Sequence, residues 1–453
     1  MLKIYNTLTR KKEIFKSIKK NKVNLFVCGF TSYDYPHIGH AKTYVNFDVI
    51  VRYLRYKKYN LFYLQNVTDL DDKIINRAQE LNTSVKEISR KFEKIYLEDM
   101  KSLKINSVNK YARATDHIKE IISQVKRLIE KGYAYEISDG IYFNLKKFKN
   151  YGKLSRRNIL QAEDAVTRID ESKTKKNKGD FCLWKFSKPN EPTWKTNVKE
   201  IKNGRPGWHI EDTAITEKYL GPQYDIHGGA QDLIFPHHEA EIAQMESISG
   251  KKPLVRYWMH TGFLNVKGKK MSKSLGNFVT IRDALKRYDA ETLRFFFIST
   301  HYRSPIDFSE RNLVQSKNAL QRINDFMNNI KNKKDKVSNK LIQKTNKDFI
   351  EAMDNDFDTP KTLAVIFNFI RDANKLGAGK KCYKLMLELD KVLGILKLKE
   401  EKISKEIKLL IEKREKARKE KNYKLADKIR AQLREKEVIL EDTEKGVEVK
   451  FIK

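Results

Sequence analysis

The stretch "VCGFTSYDYPHIGHAK", Val27 to Lys42, decides the fold. Its first residues complete an apolar run, "VNLFVCGF" (Val23–Phe30), which reads as a buried strand. The text that follows, "GHAKTYVNFDVIVRYLRYKKY", carries Val45, Val49 and Leu54 at helical spacing. Next comes "NLFYLQNVTD", a second short apolar strand. Strand, helix and strand within about 45 residues form a βαβ unit, which predicts a parallel sheet.

The same stretch concentrates chemistry. The chain has three cysteines, and Cys28 ends the apolar run. His37 precedes the predicted helix and His40 sits in its first turn. A helix N-terminus offers free backbone N–H groups and a positive dipole end, so it attracts phosphate. Imidazoles placed there can donate hydrogen bonds to charge developing on phosphorus. Gly39 lacks a side chain and lets a flat ring approach the backbone. Far downstream, "GKKMSKSLGNFVT" (Gly268–Thr280) brackets a serine with Lys270 and Lys273 in a small polar loop. Mobile ammonium groups in such a loop can clamp a triphosphate and follow its charge to a leaving pyrophosphate.

Outward from these motifs the chain divides by composition. "VKEISRKFEKIYLEDMKSL" and "TDHIKEIISQVKRLIEKGYAYE" read as helices, the second capped by Thr115 or Asp116 and closed by Gly132. "NVTDLDDKI" contains a helix start that Thr68 or Asp69 suits as cap. Lys146 to Pro206 is polar and reads as an irregular insertion with a mobile loop. "QYDIHGGAQDLIFPHHEAEIAQMES" returns to strand, glycine turn and helix, the second half of a doubly wound sheet. After Phe308 the text is helical. It ends in two basic helices and a hairpin turning at Glu444–Gly446. The expected fold is therefore α/β: a Rossmann-type doubly wound parallel sheet with an insertion, then a helical bundle, then a small basic α+β module. The expected boundaries are 1–110 and 201–252 for the two sheet halves and 111–200 for the insertion. A lysine-loop region follows at 253–308, the bundle at 309–400 and the terminal module at 401–453.

The 453 residues carry a formal net charge of +34, a surplus that suits a polyanionic partner such as nucleic acid. Three scattered cysteines exclude a disulfide scaffold and fit a reducing cytoplasm. No apolar run reaches the ~20 residues of a membrane span, and the basic N-terminus lacks the apolar core of a secretory signal.

A His-Ile-Gly-His after the first strand, paired with a distant Lys-Met-Ser-Lys-Ser, resembles the double signature of class I aminoacyl-tRNA synthetases. Segments along most of the chain resemble the cysteinyl-tRNA synthetase family. They include "CGFTSYDYPHIGHA", "NVTDLDDKII", "GRPGWHIE", "YDIHGGAQDLIFPHHEAEIAQ", "MHTGFLNVKGKKMSKSLGNF", "DNDFDTPKTLAV" and "KLADKIRAQLREKEVILEDTEKG". The resemblance implies ATP-dependent activation of L-cysteine with Mg2+ and transfer to the 3′-terminal ribose of the cysteine tRNA. It implies His37, His40, Lys270 and Lys273 as catalytic groups, with Gly39, Gly228 and Gly229 near the nucleotide. Thr68, Trp208, His209 and Asp232 would line the cysteine and adenylate pocket. It also implies one zinc ion that takes the substrate thiolate, held by Cys28, His237, Glu241 and a fourth ligand that is usually cysteine. Here that position is Asp212. The formal charge is unchanged and the bond shortens from about 2.3 Å to about 2.0–2.2 Å, so the donor set still suits zinc but is harder; the expectation is zinc held with reduced affinity, and the alternative is a metal-free pocket. Such a metal reads ionisation rather than size, the property that separates cysteine from serine.

By the same resemblance the bundle from about residue 309 contacts the tRNA stem and the terminal module its anticodon. A tryptophan often found after the last glycine is absent from "GVEVKF". The expected enzyme is a monomer or homodimer. Two alternatives share parts of this pattern: a cysteine-adenylating ligase acting on an amine acceptor, and a non-catalytic RNA-binding relative. Cysteine-dependent pyrophosphate exchange followed by tRNA charging separates the three.

Overall fold

The computed structural model describes all residues except 158–171, 173, 272–274, 398–404, 421, 437, 444–445 and 452–453. The side chains of Lys270, Lys405, Lys419, 441–443 and 446–451 also lie outside the description. Lys273 and the expected turn residue Glu444 therefore fall outside the described residues.

The centre is a five-stranded, wholly parallel sheet. Its strands are β1 (Lys22–Thr31), β2 (Asn60–Thr68), β3 (Lys110–Arg113), β4 (Tyr224–Ala230) and β5 (Val255–Thr261). The spatial order is β5-β4-β1-β2-β3. The chain thus runs outward from β1 in one direction, then returns to β1's other side through β4. The crevice beyond the ends of β1 and β4 is where a doubly wound sheet receives ligands. Helix α1 (Ile38–Tyr56) connects β1 to β2, and nearly all of it is buried, including Val45, Val49 and Leu54. Helices α2 (Trp208–Leu220) and α3 (His237–Ser249) flank β4 in sequence and pack against each other. They carry few exposed residues, which is why neither shows a strong amphipathic stripe in its sequence.

Residues Met1–Leu396 form one compact unit. Within it, one apolar core joins α1 and β1 to helices Glu310–Ile330, Asn339–Asp354, Thr359–Leu376 and Lys380–Leu393. A second core joins the other face of the sheet to the insertion. Arg294 and Asp48, both fully buried, pair at 2.8 Å. Arg294 also donates to the carbonyl of Leu393 at 2.9 Å, tying α1 to the end of the last bundle helix. Residues Lys397–Lys453 form a separate unit. In it, helices Lys405–Lys419 and Tyr423–Glu435 and strand Val438–Thr443 meet in a small core of Ile429, Leu433, Val438 and Leu440, and that strand pairs antiparallel with Gly446–Phe451.

Three local expectations are corrected. The segment from Lys146 to Pro206 is not irregular throughout. Strands Phe181–Phe186 and Gly204–Pro206 complete a four-stranded antiparallel sheet with Ala134–Ile137 and Gly140–Phe143. "FCLWKF" is short and set among charges, but Phe181, Leu183 and Trp184 are buried, and pairing to distant strands supplies what local text does not show. Thr115 and Asp116 do not cap the helix at Ile118–Glu130. A single 3-10 turn leads into it, and Thr115 instead donates to the Asp69 carboxylate. Neither Thr68 nor Asp69 caps the helix Asp72–Glu80; Asp71 does, accepting from the backbone N–H of Lys73.

Candidate active site

The N-terminus of α1 is built by its own histidines. His37 is the N-cap, and its Nδ1 accepts from the backbone N–H of Gly39 at 3.1 Å and of His40 at 3.4 Å. His40 Nδ1 accepts from the backbone N–H of His37 at 3.2 Å, closing a reciprocal capping box. The two rings stack with centroids 3.7 Å apart. Because each Nδ1 is an acceptor, each neutral ring carries its proton on Nε2 and is a donor there. Burial, and next the neighbouring His37, hold the His40 pKa well below its ordinary value, so His40 is the uncharged imidazole at neutral pH. Gly39 lies against this pair: a Cβ there would sit 2.9 Å from the His37 ring.

The lysine-bearing loop returns to the same point. Lys270 lies in a two-residue strand paired with Asn265–Val266. Past the loop, Ile38 donates to the carbonyl of Val279 and Ile281 to that of Pro36. Phe278 meets His37 edge-on at 5.4 Å. The downstream flank of the Lys-Met-Ser-Lys-Ser segment is thereby anchored at the α1 N-terminus. From inside α1, buried Lys42 donates to the carbonyls of Gly262, Phe263 and Ser304 at 2.5, 3.2 and 2.8 Å, fixing the turn after β5.

These elements enclose a cavity of about 450 Å³ at the crevice beyond β1 and β4. His37, Gly39 and His40 line it together with Cys28, Asp212 and His237, and with Thr68, Trp208 and Asp232. Lys73 adds a cation that the sequence reading did not single out. Thr68 accepts from Asn66 and donates to the buried carboxylate of Glu211. Trp208 stacks on His237 at 4.4 Å. His209 does not line this cavity but a smaller pocket that shares Trp208 with it, and its Nδ1 is 2.8 Å from that of His237, a contact that orients His237. Gly228 and Gly229 are also absent from the wall. Added Cβ atoms would strike Phe47 at 2.3 Å and His238 at 2.9 Å, so these glycines let β4 pack against α1 and α3.

Cys28 reaches the cavity through a break in strand register. The β1–β2 pairing shifts between Val27 and Phe30, and Gly29 occupies the break because a Cβ there would sit 1.8 Å from the Asn66 carbonyl oxygen. Around its thiol the structure gathers Asp212 from α2 and His237 and Glu241 from α3, one donor atom of each lying within 4.8 Å of every other. Cys28 Sγ is 3.4 Å from Asp212 Oδ2 and 3.9 Å from Glu241 Oε1. His237 Nε2 is 3.0 Å from Asp212 and 3.2 Å from Glu241. All four residues are buried. Burial, then the Glu241 and Asp212 charges, pushes the Cys28 thiol well above its ordinary value. Burial and Asp212 do the same to Glu241. Asp212 Oδ1 and Glu241 Oε2 are buried without a hydrogen-bond partner. Protein atoms alone leave this cluster costly; a divalent cation would satisfy its oxygens and favour the ionised thiol. The donor set suits zinc.

Sequence reasoning missed His227 and His238, which with Cys28 and Glu241 form a second group of four donors. Glu211 was missed too. A signal for His238 existed: in "HHEAE" Glu241 is i+4 from His237 and i+3 from His238, so both share its face.

Residues 14–318 match the model for the tRNA synthetase class I (C) catalytic domain, and residues 348–397 match the DALR domain. The chain is 47% identical to the cysteine–tRNA ligase of Thermococcus gammatolerans, covering 100% of this chain and 99% of that one. With the cysteine–tRNA ligase of Methanococcus maripaludis it shares 46% identity over 98% of both chains. Among solved structures, a Mycobacterium tuberculosis methionyl-tRNA synthetase in complex with methionyl-adenylate superimposes with a TM-score of 0.60 at 17% identity. That likeness of fold covers 83% of this chain and 90% of that one.

Proposed function

Because this chain belongs to the class I aminoacyl-tRNA synthetases of the cysteine–tRNA ligase family, we propose that it activates L-cysteine with Mg·ATP and esterifies the cysteine tRNA, selecting its substrate by a thiol-seeking zinc. The observation that carries this reading is one cavity lined both by a phosphate-binding helix start and by Cys28, Asp212 and His237 of a buried Cys/Asp/His/Glu cluster.

In the first step a carboxylate oxygen of cysteine attacks the α-phosphorus. The bond from that phosphorus to the bridging oxygen breaks, and pyrophosphate leaves with its electron pair. His37 and His40 donate from Nε2 to the phosphate oxygens, beside the free N–H groups of α1. Lys270 and Lys273 follow the charge to pyrophosphate. In the second step the ribose 2′-OH attacks the acyl carbon, a proton leaves that hydroxyl, and AMP departs. No side chain forms a covalent bond. Cys28, Asp212, His237 and Glu241 would hold zinc, which when bound supplies a Lewis-acidic seat that favours a thiolate over an alcohol. Trp208 and His209 orient His237; Thr68 and Asp232 face the space left for substrate.

The helices from 309 to 400 and the basic module from 401 to 453 supply the tRNA contacts in this reading, and the reaction takes place in the cytoplasm. Among the described residues no helix is long and apolar enough to cross a membrane. The test is cysteine-dependent ATP–pyrophosphate exchange followed by charging of cysteine tRNA transcripts. Exchange with charging supports the proposal. Exchange without charging points to an amine acceptor, and absence of both points to an RNA-binding role.

A further inference from the structure

Two elements must meet one triphosphate: the start of α1 and the lysine-bearing loop. The downstream flank of that loop is held to α1 by backbone hydrogen bonds of Ile38 and Ile281. The upstream flank begins at the turn Gly262–Phe263. It continues as the strand Leu264–Val266, which pairs with Lys269–Lys270 on one side and with Ile306–Phe308 on the other. Gly262, Phe263 and Leu264 line the cavity. The side chain that holds this flank to α1 does not line it: that side chain is Lys42.

Lys42 is buried and follows His40 by two residues on α1. An ammonium has three N–H donors, and three carbonyls receive them here: Gly262 at 2.5 Å, Ser304 at 2.8 Å and Phe263 at 3.2 Å. These acceptors come from two segments that are also bound to each other. The Gly262 N–H donates to the Tyr302 carbonyl at 2.9 Å, and the Ile306 N–H donates to the Phe263 carbonyl at 3.0 Å. A Cβ at Gly262 would sit 2.5 Å from the Arg303 carbonyl oxygen, so only glycine allows this approach. Beside Lys42, the hydroxyls of Thr43 and Thr261 meet at 2.8 Å and tie α1 to the end of β5. A buried ammonium costs stability, and three acceptors offset that cost. Apolar contact is non-directional, whereas three hydrogen bonds from one atom fix a position.

We propose that Lys42 is a positioning residue for adenylation. Its ammonium locks the root of the lysine-bearing loop onto the helix that carries His37 and His40, so both elements meet the phosphates in one register. The proposal rests on the adenylation reading above. Lys42 acts through the turn Gly262–Phe263 and the strand pair beyond it, not by touching substrate. Groups aimed at developing charge must be held within about half an ångström, so the effect of Lys42 falls on kcat rather than on ATP binding. Cysteine binding at the Cys28 cluster does not depend on it.

Steady-state ATP–pyrophosphate exchange by the full chain, with kcat and the KM for ATP taken separately, tests this in Lys42→Met, Lys42→Gln and Lys42→Arg. In Lys42→Met the expected kcat falls by at least about 10-fold, while the KM for ATP and calorimetric cysteine binding stay within about 3-fold. Lys42→Arg, which keeps the charge and several donors, recovers most of the rate. Amide hydrogen exchange supplies a second reading: peptides covering 262–270 exchange at least about 10-fold faster in Lys42→Met, and those covering β1 do not. Wild-type kcat in folded Lys42→Met overturns the proposal. So does a loss carried by KM or by cysteine binding, or faster amide exchange across the whole chain, because each marks a merely structural role. Where Lys42→Met does not fold, Lys42→Gln, with a neutral two-donor amide, carries the same comparison. Failure of both to fold while Lys42→Arg folds also overturns it. Absence of cysteine-dependent exchange in the wild-type chain overturns the adenylation reading itself.

Discussion

Substituting Gly39→Ala separates the fold of the α1 N-terminus from its chemistry. The added Cβ falls 2.9 Å from Cε1 and Nδ1 of His37, against ordinary contacts of about 3.4–4 Å, so the ring must move by roughly half an ångström or more. The His37 ring is held by the two capping hydrogen bonds at 3.1 and 3.4 Å and by its stack on His40. Loosening the cap costs about 1 kcal/mol. Replacing glycine by alanine inside a helix returns about 0.5–1 kcal/mol. The unfolding midpoint should therefore stay close to wild type. The chemistry should not, because a small misplacement of a group aimed at a transition state can cost about 100-fold. Steady-state ATP–pyrophosphate exchange at saturating cysteine measures this, with thermal unfolding followed in parallel. The expected result is a stable protein whose exchange rate falls by about 10–100-fold. Wild-type exchange in a folded Gly39→Ala protein would refute the role given to His37.

Arg294→Met leaves the buried Asp48 carboxylate with Arg52 alone, at 2.7 Å, and takes the Arg294 donor from the Leu393 carbonyl, and should lower stability by about 1–3 kcal/mol in denaturant titration. Lys273→Ala should reduce pyrophosphate exchange by about 10–1000-fold, with cysteine binding measured by calorimetry retained. The Glu87 carboxylate is held at about 2 by the Thr83 hydroxyl and by the N–H and hydroxyl of Ser84. Its folded value lies below its unfolded one, so its contribution is present above pH 4.5 and is lost as pH falls toward 2. Glu87→Gln should flatten that part of the pH–stability curve.

Much of this site was legible because its residues sit in local motifs. His37, Gly39 and His40 lie within one helical turn, and the βαβ pattern around them places that turn at the end of a parallel strand. His237 and Glu241 share a helix face for the same local reason. What could not be read depended on long-range packing. His227 faces the Cys28 thiol only because β4 pairs with β1. Nor does local text show that the space a Cβ would need at Gly228 and Gly229 is taken by Phe47 on α1 and His238 on α3. His209 shares a motif with Trp208 but lines a smaller pocket beside it, with its Nδ1 against that of His237. The insertion's sheet escaped notice because its strands are short and pair across a wide sequence gap.

The central claim is that a divalent ion in the Cys28 cluster grips the substrate sulfur. Cysteine-dependent pyrophosphate exchange, measured on chelator-stripped protein and again after zinc is restored with serine as control, tests it most directly. The account predicts exchange lost on stripping, regained with zinc, and absent with serine throughout. Full cysteine-dependent exchange from protein shown by elemental analysis to hold no metal would contradict it.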